Sequence, residues 1–166
     1  MRHLLFLPAA LALAACNQSE PAGRLEGRVN LAAVAPAKAR AVMHERHEGM
    51  EKIGKLMKQL SRDMKAEPLN LAAVRPSAAA MNGLAQKSAG WFPAGTGPDV
   101  GKTRAKADIW QKPQDFAAKM ASFQKLAAAL DSSARGGNAA ATQAAFGQLG
   151  QSCKACHDAY RGKGSH

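Results

Sequence analysis

The run Ala145-Phe146-Gly147-Gln148-Leu149-Gly150-Gln151-Ser152-Cys153-Lys154-Ala155-Cys156-His157-Asp158-Ala159-Tyr160-Arg161 lies near the end of a 166-residue chain. Phe146, Leu149, Cys153, Cys156 and Tyr160 recur in it at steps of three and four, the period that lines residues along one face of an α-helix. Cys153-Lys154-Ala155-Cys156-His157 is a C-x-x-C-H sequence, the attachment pattern of c-type haem. Two thiols three residues apart can form thioethers with the two vinyl groups of one porphyrin, and the next residue projects an imidazole toward the iron. Because both cysteines share the inward stripe, the haem is expected inside the fold, beside the C-terminal helix. Three other readings compete. A redox C-x-x-C expects a thioredoxin-like βαβ context, which is missing. A zinc site needs four ligands, and three are offered, with no second Cys or His cluster at metal spacing. A structural disulfide leaves His157 unexplained.

Upstream of this helix the apolar positions keep the same period, and no stretch alternates long enough to argue a strand. Asn138 is a good N-cap for the last helix, which runs to about Arg161, and Gly136-Gly137 stops the one before it. That third helix, about Pro113 to Ala134, places Phe116, Met120, Phe123, Ala127 and Leu130 on one face. Gly90 to Ala107 contains four Gly and two Pro residues and reads as the one long loop. Its flanking Trp91, Phe92 and Trp110 should hold it against the core. A second helix, about Leu71 to Ala89, follows the cap residue Asn70. Pro76 should kink it or move its start. The first helix, about Pro36 to Lys65, carries Met43, Met50, Ile53, Met57, Leu60 and Met64 on a stripe that Arg46 interrupts. Four amphipathic segments with mostly short connections predict an all-α, antiparallel up-down-up-down four-helix bundle, supercoiled to the left.

Composition agrees with helix: alanine dominates, and aromatics make up 5%. A core so poor in large side chains suits a fold that wraps a big flat cofactor. The formal charge is +11, but the cations are spread along the whole chain without an aromatic-studded cluster, which argues against a nucleic-acid role. Docking to an acidic redox partner is compatible with it.

The N-terminus supplies a location. Met1-Arg2-His3 precedes the apolar run Leu4 to Ala14, an export signal too short to anchor as a membrane span. Leu13-Ala14-Ala15-Cys16 resembles the bacterial lipobox, whose Cys becomes the lipidated first residue. Residues 1–15 are therefore expected to be a lipoprotein signal peptide, 16–37 a lipidated terminus and flexible tether, and 38–166 the helical domain. The protein should be periplasmic and held to a membrane through Cys16. Ordinary cleavage nearby is the alternative.

The segment from Ala145 to Arg161 closely resembles the C-terminal helix of the cytochromes c′, the class II c-type cytochromes. The similarity extends to Trp91-Phe92-Pro93-Ala94-Gly95-Thr96-Gly97, to Ile109-Trp110 followed by Phe116, and to Arg46-x-x-x-Met50. It covers about Lys38 to Lys163. The resemblance implies one covalent haem c on Cys153 and Cys156, His157 as proximal iron ligand, and a protein that is commonly a homodimer. It also implies that Arg46 lies beside the haem propionates. An arginine on an apolar stripe does need a buried anionic partner, although a side chain snorkelling at the rim is an alternative. Arg161 matches a basic family position that adds positive potential near the ring, or it complements the helix dipole.

Met50 lies one turn after Arg46 and corresponds to the residue over the distal haem face. Covering the iron without binding it leaves a five-coordinate haem that can take nitric oxide or carbon monoxide. Binding through sulfur makes a six-coordinate, low-spin electron carrier. His47, one position off the stripe, is a further distal candidate, and His44 reads as surface. Peroxidase or nitric oxide reductase chemistry needs a positioned distal acid or base, for which only His47 offers itself, so a carrier or gas binder is expected rather than an enzyme.

Overall fold

Prolines and asparagines mark where the helices begin. In the computed structural model, which describes residues 35–164, Pro36 opens α1 (Pro36–Asp63) at a first-turn position that needs no backbone N–H. Asn70 caps α2 (Leu71–Ser88), its side-chain oxygen accepting from the N–H groups of Ala72 and Ala73 at 3.1 and 3.3 Å. After one 3₁₀ turn at Ala89–Trp91 and a long connection comes a single helical turn, α3 (Asp108–Gln111). Pro113 opens α4 (Pro113–Arg135). Gly137, at a φ of 78° that a side chain would strain, turns the chain. Asn138 then caps α5 (Ala139–Tyr160) through a 2.9 Å bond from Ala141 N–H.

Among the described residues no strand forms, and the all-α bundle expected from the sequence is present. Three details differ. Pro36 and Ala37 are helical, so α1 starts where the periodicity placed it and the overlapping tether boundary at residue 37 is the one that moves; proline's preset φ favours starting there. Pro76 neither ends α2 nor delays its start, because Asn70 fixes the first turn six residues earlier. The long loop is shortened at its start by the 3₁₀ turn, and a single helical turn that the sequence did not show, α3, follows its end. The signal peptide, Cys16 and most of the tether lie outside the described residues.

The direction of packing can be read from cross-helix hydrogen bonds. Arg75 Nε donates to Ala134 O at 3.0 Å, Asn82 Nδ2 to Asp131 Oδ2 at 2.9 Å, Gln124 Nε2 to Ala85 O at 3.2 Å and Ser88 Oγ to Met120 Sδ at 3.0 Å. Numbers rise along α2 as they fall along α4, so the two run antiparallel. Between them Val74, Ala78, Met81 and Ala85 meet Phe123, Ala127, Leu130 and Ala134, all buried. The alternation of alanine with larger side chains lets these helices approach closely while leaving few gaps. α4 packs against both α2 and α5, and α1 against α2; the α1–α5 seam is the loosely joined one.

Trp91 locks the chain after α2 onto α1. A Cβ placed on Gly49 would stand 2.2 Å from the indole ring, so only glycine lets the ring lie flat on the helix there. Its Nε1 donates to Glu45 Oε1 at 3.2 Å, and the residue is buried.

Candidate haem-binding site

The loosely joined seam holds the residues singled out from the sequence. The helices meet at its far end, where a Cβ on Gly150 would touch Met57 Cε at 3.9 Å. From there α5 carries Cys153, Cys156, His157 and Tyr160, and α1 carries Met50 and then Arg46. Cys153, Cys156, His157 and Met50 are all half-buried. Met50, Phe92, Phe116, Phe146 and Cys153 pack against the hydrophobic core, giving the seam apolar walls.

The 92–107 connection closes the other end of the seam by holding both helices. On the α5 side, Lys106 N–H donates to Tyr160 O at 3.0 Å and Gly162 N–H to Arg104 O at 2.7 Å, pairing Ala105 antiparallel with Arg161. Lys106 Nζ reaches Asp158 O at 3.2 Å and Ala159 O at 2.9 Å, satisfying carbonyls that the helix end leaves open. On the α1 side, Arg46 Nη1 donates to Trp91 O and Thr96 Oγ1, both at 3.2 Å, and Nη2 to Thr96 O at 2.9 Å and Thr103 Oγ1 at 3.1 Å.

Arg46 is 5% exposed, which sets aside a rim position. Its hydrogen-bond partners are neutral oxygens, and its guanidinium also lies over the rings of Phe92 and Trp110, 5.1 and 5.8 Å from their centroids. Burial lowers its pKa to about 10, so it stays charged at neutral pH. From Phe92 an edge-to-face contact leads to Phe116 at 4.8 Å, and another leads to Tyr160 at 5.3 Å. This aromatic chain joins the connection to α4 and α5.

The donor chemistry fits a covalent haem. Burial pushes the Cys153 and Cys156 thiols above their ordinary range, with Cys156 adding to the effect on Cys153 and Asp115 to that on Cys156. Both are free thiols. Burial, followed by Arg161 and Arg104, holds His157 below its ordinary value. A neutral imidazole keeps the lone pair that a metal needs. Arg161 is exposed and bonds through its backbone N–H to His157 O at 3.0 Å. His47 Nε2 lies 3.6 Å from Glu51 Oε1 with its side chain 41% exposed, and His44 is exposed. Sequence reading missed Thr96, Thr103 and Arg104, since no period ties residues of an irregular segment to a helix fifty positions away.

Tyr160 donates its hydroxyl to Asp115. That bond, followed by burial, raises its pKa from near 10 to about 12. The folded chain keeps this proton where the unfolded chain begins to release it, so the stabilisation is complete below pH 10 and is lost as pH rises toward 12. Tyr160→Phe is expected to be less stable than the parent near pH 9, with a gap that narrows by about pH 11.5. Urea midpoints at the two pH values measure it.

A sequence profile of the family described as Cytochrome C′ matches residues 41–161. The cytochrome c′ of Pararhodospirillum photometricum is 33% identical over 126 residues, spanning 75% of this chain and 99% of the relative. Among solved structures, a ferrous arginine-to-lysine variant of cytochrome c prime from Alcaligenes xylosoxidans with bound nitric oxide superposes with a TM-score of 0.68 at 26% identity. It covers 79% of this chain and 98% of that one. Another cytochrome c′, described as having an unusual ligand-controlled dimer dissociation, gives a TM-score of 0.67 at 29% identity, covering 80% of this chain and all of that one.

Proposed function

The chain belongs to the cytochrome c′ family, and from that premise we propose that it is a periplasmic, five-coordinate haem protein that passes single electrons or holds nitric oxide. It carries one covalent haem c. Cys153 and Cys156 would attach it, and His157 would ligate the iron. The iron supplies one-electron exchange and a position for a diatomic ligand.

The observation that supports this reading best is the half-buried C-x-x-C-H turn of α5 along its loosely joined seam with α1, where Cys153 packs on the same hydrophobic core as Met50. Met50 packs on the core as an apolar cover. His157, kept neutral by burial and by Arg161 and Arg104, is ready to bind metal. Nitric oxide is taken as the gas because the Alcaligenes xylosoxidans relative holds it. A homodimer that responds to ligand follows from the relative with ligand-controlled dissociation. Residues 1–15 direct export, and Cys16 anchors the chain to a membrane, where it meets a redox partner protein. It is a carrier and binder, not a catalyst.

Absorption and resonance Raman spectra of the ferric and ferrous protein test the coordination. High-spin, five-coordinate signatures are expected, with nitric oxide binding the ferrous form. Met50→Ala should leave the spin state unchanged and raise gas affinity by opening the distal face. A low-spin ferric spectrum with the far-red band of methionine–iron coordination, abolished by Met50→Ala, would establish the six-coordinate electron carrier instead.

A further inference from the structure

Lys102, Arg104, Lys106, Arg161 and Lys163 gather where the 92–107 connection crosses the end of α5. Four of them, Lys102, Arg104, Lys106 and Lys163, line a groove of about 470 Å³. None of the five forms an ion pair among the described residues. On the helices some cations are paired one turn away, as in Lys52–Glu48 at 4.0 Å, Lys112–Asp108 at 3.0 Å and Lys119–Asp115 at 3.9 Å; what sets the groove apart is that four of its unpaired cations line one concavity. The groove's charges are instead fixed by neutral backbone: Lys106 on Asp158 O and Ala159 O, and Arg104 Nε on Gly162 O at 3.2 Å. Those bonds orient the cations without cancelling them.

The position of the groove gives the charge a use. Arg161 is hydrogen-bonded to His157 through the backbone and paired with Ala105 of the groove wall, so the positive surface adjoins the proposed iron ligand. Charge near a redox centre steers partners of opposite sign and raises their encounter rate.

We propose that this groove is the docking face for an acidic redox protein, whose carboxylates enter between Lys102, Arg104, Lys106 and Lys163 and bring its own redox centre to the His157 end of the seam. The proposal rests on the haem reading above. A concave groove with separate cationic heads admits individual carboxylate side chains. A lipid surface favours a flat face with large apolar or aromatic side chains to insert, and the groove, whose apolar side chains are Pro98 and Ala105, is lined by no aromatic or long aliphatic one.

The test mixes ferrous holoprotein in a stopped-flow with ferricyanide, a trivalent anion, or with tris(phenanthroline)cobalt(III), a trivalent cation. Each takes one electron, leaving ferric protein and ferrocyanide or the cobalt(II) complex. Lys102→Glu with Lys163→Glu reverses two exposed groove charges. Lys58→Glu with Lys125→Glu makes the same change in net charge on exposed faces of α1 and α4. The groove pair should slow ferricyanide about tenfold and speed the cobalt complex, and the other pair should change either rate less than about twofold. The contrast should fade at about 1 M salt. Calorimetry with a hexaglutamate peptide should show binding to the parent and to the Lys58/Lys125 variant, and none to the groove variant. Equal rate effects from the two pairs, or equal peptide binding by all three proteins, would overturn the proposal. So would binding to phosphatidylglycerol vesicles without peptide binding, which would make the face a lipid contact. A preparation without haem absorbance would defeat the haem reading instead, and the peptide titration would still decide the groove.

Discussion

With Cys153 and Cys156 both changed to serine, the chain should mature as a bare polypeptide, without the mass gain of one haem group and without a Soret band after acid–acetone extraction. Serine fills nearly the same space, so the helix stays intact while the chemistry goes: a hydroxyl does not form the thioether bond that a thiol does. Either single variant keeps one anchor and should retain a fraction of covalent haem. His157→Ala keeps both anchors and should retain the mass but lose the proximal nitrogen, which shows in the spectrum rather than on the balance. The seam explains why stability should follow. Met50, Phe146 and Cys153 are only half-buried along it, so a bound haem adds apolar contact that the polypeptide alone does not make. A covalently held haem stays on the unfolded chain, so it stabilises through the apolar surface that it and the seam bury together only in the folded state, and the double variant should melt on the order of 10 °C lower. Mass spectrometry and thermal unfolding followed by circular dichroism measure the two effects. A double variant that still carries covalent haem would mean that other residues hold it.

Arg46→Leu is the second large effect expected. Leucine is apolar enough for the site and removes the desolvation penalty of a buried guanidinium, which by itself would stabilise. Against that, Trp91 O, Thr96 O and the hydroxyls of Thr96 and Thr103 all lose their donor. Thr96 is fully buried and Trp91 nearly so, and leaving buried acceptors unsatisfied costs about 1–3 kcal/mol each. The losses outweigh the gain, and a net destabilisation of about 3–5 kcal/mol is expected. Arg46→Lys keeps the charge but lacks the planar fork that reaches two oxygens at once, so it should fall between, at about 1–2 kcal/mol. Urea unfolding gives the totals. Hydrogen exchange should show where they arise, with the amides of 92–103 exchanging faster while those of α2 and α4 do not. An Arg46→Leu protein as stable as the parent would show that the 92–107 connection is held by its other contacts.

Much of this architecture is legible in one dimension because helices are local. The three-and-four period, Asn70 and Asn138 as caps, Pro36 and Pro113 at first turns and Gly136-Gly137 as a stop place the four long helices to within a residue or two. The haem turn is legible for the same reason, since five consecutive residues carry it. What fails to show is whatever depends on irregular backbone meeting a distant helix. Arg46 stands out as a charge on an apolar stripe, yet its partners, 45 to 57 positions away, follow only from the path of the connection. Arg104 beside His157 belongs to the same class. α3 escapes because four residues are too few to display a period. Pro76 stands inside α2 without moving its start, because Asn70 caps the first turn six residues earlier and Val74, Ala78, Met81 and Ala85 pack in the core.

The placement of the two tryptophans has a practical consequence. Trp91 lies on Gly49 of α1, and Trp110 Nε1 donates to Pro93 O at 3.0 Å; the chain holds no third indole. Intrinsic fluorescence therefore watches one pole of the molecule, the pole where His157 lies, and is blind to the Gly136–Asn138 turn. Emission and helical ellipticity will track different events whenever the two poles loosen separately.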